Sequence, residues 1–159
     1  MTHLNTRCLI LACGNTLRGD DGVGLSLAEW AEQRFSCQSD LRVIALPQWT
    51  PELAEDVACA HSVLFVDCSF ASPPGAINLT PVEPADGERK QGTHHLDAAQ
   101  LLALSRSLYN SLPRNAQQLT IGAGSTTLGE KFSPAVTASF PEACRLIEET
   151  VLLWLRALK

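Results

Sequence analysis

The sequence predicts an α/β fold: a single-domain three-layer sandwich in which a twisted, mostly parallel sheet of about five strands carries helices on both faces. Three observations predict it. Short apolar runs alternate along the chain with longer stretches of helical periodicity. The runs 8-CLILA-12 and 63-VLFV-66 are apolar throughout, as strands covered on both faces are. A glycine-rich stretch, 13-CGNTLRGDDGVG-24, follows the first run and opens directly onto a helical pattern.

Taken in order, 7-RCLILAC-13 reads as the first strand. Residues 21–35 read as a helix, with Val23, Leu27, Trp30, Ala31 and Arg34 stepping at helical spacing. A strand over 41–46 precedes a helix from Pro51 to Ala60, whose start is marked by Thr50-Pro51. The third strand, 62-SVLFVD-67, carries a charge at its last position. After the turn 71-ASPPGA-76, the strand 77-INLTPV-82 contains Pro81, which suits an edge. Residues 83–92 form a polar loop expected to move, and a helix follows from His94 to Asn110 with Leu96, Leu101, Leu104 and Leu108 on its core side. The last strand is 117–123 and the loop after it 124–132. Ser133-Pro134 opens a short helix, and Pro141 restarts a longer one through Leu158, buried along Ala143, Ile147, Val151 and Trp154. No repeat or low-complexity tract interrupts the pattern, so residues 1–159 are expected to form one domain, with 1–6 frayed.

Composition narrows the function. A net charge of −5 and a pI near 5.3 argue against nucleic acid or an anionic membrane as the partner. The first apolar run is too short for a leader or a membrane span, so a cytoplasmic protein is expected. Six cysteines occur without a C-x-x-C pair, which points to reduced thiols, mostly small buried hydrophobes.

Ligands of open α/β sheets gather beyond the carboxyl ends of the strands, where strand order reverses. Three groups fall there: Asp20 and Asp21 behind the first strand, Asp67 at the end of the third, and His94 with His95 ahead of a helix. Each has an ordinary explanation. An aspartate before a helix caps it, an aspartate closing an apolar strand ties down the next loop, and paired histidines on a first helical turn face solvent. One cap suffices, however, so Asp20 is assigned as the cap and Asp21 as free to enter the rim. A histidine at a helix amino terminus stays neutral and presents a lone pair; His94 is placed so, with His95 about 100° away. His3 and His61 read as structural. Asp21, Asp67 and His94 together suit a divalent cation with open positions, with zinc, nickel and manganese equally compatible. Cys13 and Cys68 flank this site, and strand alternation is expected to turn Cys68 away from the side used by Asp67. A cysteine protease is disfavoured because no histidine partners either thiol. The opening loop matches neither G-x-G-x-x-G nor G-x-x-x-x-G-K-[ST], and its aspartates would repel a phosphate, which disfavours a nucleotide site.

The motifs 14-GNTLRGDDGVG-24, 64-LFVDCS-69, 92-GTHHLD-97 and 121-IGAGSTTLGEKFSP-134 are similar to those of the nickel–iron hydrogenase maturation endopeptidases, in order and spacing over nearly the whole chain. The resemblance implies an aspartyl-type, metal-dependent endopeptidase. Such an enzyme removes the carboxy-terminal extension of a hydrogenase large-subunit precursor after nickel insertion and so activates its partner. It implies nickel contacts at Asp21, Asp67 and His94, catalysis at the same residues, and nickel supplied by the precursor; the leucine-rich final helix reads as core rather than interface, so a monomer is expected. Loops 83–92 and 124–132 would shape the groove for the precursor's tail. A non-enzymatic nickel-sensing or metal-delivery module docking on that precursor is the alternative. The chain departs from the family's pattern twice. Asp21 stands where many members have glutamate, and 46-LPQWTPEL-53 replaces an Asp-Gly-Gly-Thr type segment, leaving Gln48 as a hydrogen-bonding substitute for a lost carboxylate.

Overall fold

A computed structural model of the chain describes residues 6–86 and 96–157. Five strands form one sheet: β1 (Thr6–Cys13), β2 (Leu41–Leu46), β3 (Ala60–Ser69), β4 (Ile77–Pro81) and β5 (Asn115–Gly122). Their order is β2-β1-β3-β5-β4, with every neighbour pair parallel except β4 against β5. Pro81, which donates no ladder hydrogen bond, sits at the end of the edge strand β4, as expected.

Helices cover both faces. On one, α1 (Val23–Arg34) and α4 (Pro134–Ala157) pack on Cys8, Ile10, Ala12, Leu64, Val66, Leu119 and Ile121. On the other, α2 (Leu53–Ala58) and α3 (Ala98–Tyr109) cover Leu9, Leu11, Val63 and Phe65. The two-residue periodicity of a strand divides β1 and β3 between these cores, which is why both runs are apolar throughout. Trp49, buried beside Phe65 with ring centroids 5.4 Å apart, fills the second core, while Gln48 points to solvent. The segment 46–53 therefore contributes packing.

Four elements differ from expectation. Helix α3 starts at Ala98, because Asp97 accepts from the Gln100 N–H at 2.8 Å and Gln100 returns a bond to the Asp97 N–H at 2.9 Å. This reciprocal capping box satisfies two otherwise unpaired donors and sets the boundary. Leu108 is exposed, and Ala98, Leu102 and Ser105 join Leu101 inside. Helix α4 is continuous from Pro134, with Pro141 inside it. Val136, Ala143, Ile147, Val151 and Trp154 lie along one buried face that spans the proline. That shared burial offsets the lost backbone bond and the ring clash of an interior proline, which together cost about 3 kcal/mol. Helix α2 is shorter than predicted, and β3 begins at Ala60.

Phe65 is fully buried and central to the second core. Phe65→Ala is expected to lower unfolding stability by about 3–5 kcal/mol, read from the denaturation midpoint at unchanged slope.

Candidate metal-contacting site

Strand order reverses between β1 and β3, since the chain passes from β1 to β2 on one side and enters β3 on the other. The crevice beyond their carboxyl ends is the switch point. The loop after β1 and the last residues of β3 meet there.

The loop is built on close backbone approach. A side chain at Gly24 would stand 2.4 Å from the Cys13 carbonyl oxygen and 3.2 Å from that of Val66, so the first turn of α1 rests directly on β1 and β3. At Gly14 a Cβ would stand 2.1 Å from the carbonyl oxygen of Asp21. The Asn15 N–H donates to that same oxygen at 3.1 Å. Asp21 is thereby held over the strand ends within a short 3-10 helix, Gly19–Gly22.

Asp20 corrects the sequence reading. It caps neither the 3-10 helix nor α1. Its carboxylate is fully buried and turns toward the β5–α4 loop. It accepts from the Gly124 N–H at 2.7 Å, the Ser125 N–H at 3.0 Å, and the Ser133 N–H and hydroxyl, each at 2.7 Å. The Asp20 N–H in turn donates to the Ser125 carbonyl at 2.9 Å. Burial alone would raise its pKa, but the bonds from Ser125, Ser133 and Gly124 outweigh it and hold the carboxyl below its usual value. Loop 124–133 is therefore clamped to the motif that carries Asp21.

Asp67 ends the apolar run of β3 on the face of Phe65, and one of its oxygens accepts from the Cys68 N–H at 2.7 Å. Burial pushes Asp67 up to about 6; the bond from the Cys68 N–H and the nearby Cys13 thiol oppose this, and the charge of Asp21 adds to it.

Cys68 makes a contact that the sequence reading did not foresee. Alternation does place it on the opposite face from Asp67, among the side chains under α1 and α4. Asp21 reaches over the end of the strand, however, and the Cys68 thiol donates to Asp21 Oδ1 at 3.3 Å. One oxygen each from Asp21 and Asp67 and the Cys68 sulfur all lie within 4.8 Å of one another. Two of the predicted metal contacts, Asp21 and Asp67, are thus brought together from positions 46 residues apart in sequence. His94, with His95 and most of the 83–92 loop, lies outside the described residues, as does His3. His61, at the opposite end of β3, contacts Ser62. Burial raises both the Cys13 and Cys68 thiols above their usual value, and the neighbouring carboxyl groups raise them further. Neither is thereby suited to act as a thiolate nucleophile.

Sequence reasoning placed Cys68 beside the site and on the face away from Asp67, as observed, but not its contact with Asp21, which reaches over the end of the strand. No family model matches the chain, and no curated protein matches it. Solved structures do. The hydrogenase maturating endopeptidase HybD from E. coli aligns over 95% of this chain and 93% of its own, with a TM-score of 0.72 and 22% identity. A [NiFe] hydrogenase maturation protease, HycI from Thermococcus kodakarensis KOD1, aligns over 91% of each chain with a TM-score of 0.68 and 26% identity. A hydrogenase 2 maturation peptidase from a Thaumarchaeota archaeon aligns over 92% of this chain and 99% of its own, with a TM-score of 0.66 and 23% identity. The likeness to maturation endopeptidases carried by the sequence motifs is borne out in this shared fold.

Asp20→Asn is expected to cost at least about 1–3 kcal/mol near neutral pH, because donors built for a carboxylate lose their charged acceptor. A depressed pKa stabilises the fold above the unfolded value of about 3.9 and ceases to do so as pH falls through the folded one. The deficit should therefore shrink below about pH 4 in denaturation series. Asp67 has the opposite sign: a raised pKa erodes stability as pH climbs from about 3.9 to the folded value near 6. Metal-free Asp67→Asn is expected to be more stable than the parent above pH 6, by about 2 kcal/mol, with the gain gone by about pH 4.

Proposed function

We propose that the chain is an endopeptidase that removes the carboxy-terminal extension of a nickel–iron hydrogenase large-subunit precursor after nickel insertion. The observation that carries this reading is the convergence of Asp21 and Asp67 at the switch point of a fold shared with solved maturation proteases.

The donor set suits the reading. Two carboxylates on a crevice rim bind a divalent cation while leaving coordination positions open. In this proposal Asp21, Asp67 and His94 contact nickel already seated in the precursor, so the ion belongs to the substrate, and cleavage follows metal loading. A cation so held polarises a neighbouring carbonyl or lowers the pKa of a bound water. The chain's own part is placement. The Asp20 clamp holds loop 124–133 beside Asp21, where an extended peptide has a wall to lie against. A carboxylate that holds the ion is not at the same time a free base, so whichever of Asp21 and Asp67 the ion leaves uncoordinated would take the proton. The buried thiols argue against a cysteine-protease route. The net charge of −5 and the absence, among the described residues, of a helix long and apolar enough to cross a membrane agree with a protein substrate met in solution.

Mass spectrometry of precursor incubated with this chain, with and without prior nickel loading, tests the proposal. A defined carboxy-terminal peptide released only from loaded precursor is the expected result. Precursor that stays intact inside a demonstrated complex would instead assign a non-enzymatic nickel-sensing or delivery module. Asp21→Asn, Asp67→Asn and His94→Ala are each expected to lower the cleavage rate at least about a hundredfold while circular dichroism stays unchanged. Full activity in any one removes that residue from the site.

A further inference from the structure

The geometry points to Cys68 as a sulfur donor that completes the Asp21–Asp67 pair, so that the isolated chain holds a thiophilic divalent cation with its own residues. The inference rests on the metal-contacting half of the reading above and not on peptide cleavage.

Distance supports it first. A tetrahedral ion with oxygen at about 2.1 Å and sulfur at about 2.3 Å holds those two donors roughly 3.6 Å apart. Cys68 Sγ and Asp21 Oδ1 already stand 3.3 Å apart, and one oxygen each of Asp21 and Asp67 and the Cys68 sulfur all lie within 4.8 Å of one another. The three donors thus stand close to the spacing that a single ion requires.

Electrostatics supports it next. Cys68 is 6% exposed, and the carboxyl groups and thiols of Asp21, Asp67, Cys68 and Cys13 crowd one another. The charged groups that act on the two thiols, Asp20, Asp21 and Asp67, are all acids. Half-buried carboxylates packed against a buried thiol are stabilised by a shared cation. A thiolate among the donors also narrows the choice of ion. Oxygen-only sites suit magnesium, calcium and manganese, whereas sulfur favours nickel, zinc and copper. On coordination the Cys68 thiol proton, now donated to Asp21 Oδ1, leaves for solvent. A metal–sulfur bond forms in place of the S–H bond, and no oxidation occurs.

Titration of the full-length chain with nickel(II) alone, followed by near-ultraviolet absorption and calorimetry, tests the assignment. A sulfur-to-nickel charge-transfer band at one equivalent is expected. Cys68→Ser and Cys68→Ala should lose the band and bind nickel at least about tenfold more weakly. Cys37→Ser, which removes the exposed thiol, should leave both readouts unchanged. Thermal melts check the folding of each variant. X-ray absorption at the nickel edge of the unmodified protein gives a nickel–sulfur distance that needs no variant at all. The assignment is overturned if nickel finds only oxygen and nitrogen neighbours, if the band survives both Cys68 variants, or if it vanishes with Cys37. Precursor cleaved without a nickel–sulfur signal rejects the sulfur donor and leaves the protease reading standing. A signal without cleavage does the reverse.

Discussion

The site depends on one buried carboxylate. Asp20 is wholly shielded from water, and a charge in that position persists only if its oxygens are saturated with donors. Gly124, Ser125 and Ser133 supply those donors from the far end of the chain. The bonds join the loop after β1 to the loop after β5, across more than a hundred residues of sequence. The junction lies at the crevice rim, and Asp21 is the next residue. Its position is therefore set by a hydrogen-bond cluster that contains none of the chemistry itself.

Around that anchor the site divides its labour between adjacent side chains. Asp20 faces inward and is stabilised as an anion, whereas Asp67 lies in an apolar setting that favours its neutral form. Two aspartates within one crevice thus have opposite proton affinities. The difference comes from the number of donors each receives. Burial and the neighbouring carboxyl groups keep the Cys13 and Cys68 thiols protonated, so they add no charge to the rim.

Much of this was legible in the residues. The two strands that form the crevice announce themselves as fully apolar runs, and Asp67 stands out as the charge that ends one of them. The glycines at positions 14 and 24 signal the close backbone approaches that the loop requires. Other features were hidden. The start of α3 was legible in the Asp97–Gln100 pair, but the histidines ahead of it drew the boundary too early. Pro141 reads as a helix break in sequence because the lost hydrogen bond is local, while the burial that outweighs it comes from β1, β3 and β5. Asp20 looked like a cap because its true partners lie more than a hundred positions away.

The sequence by itself determined the alternation of strands and helices, the apolar interior of the central strands, and which carboxylates stand at strand ends. These follow from side-chain periodicity and backbone preference, which act over a few residues. Only the tertiary structure decided that Asp20 clamps while Asp21 faces the crevice, and that Cys68 touches Asp21 across the end of β3. Those choices depend on which donors and which van der Waals surfaces arrive from distant segments. Such contacts come into being only when the sheet has been assembled.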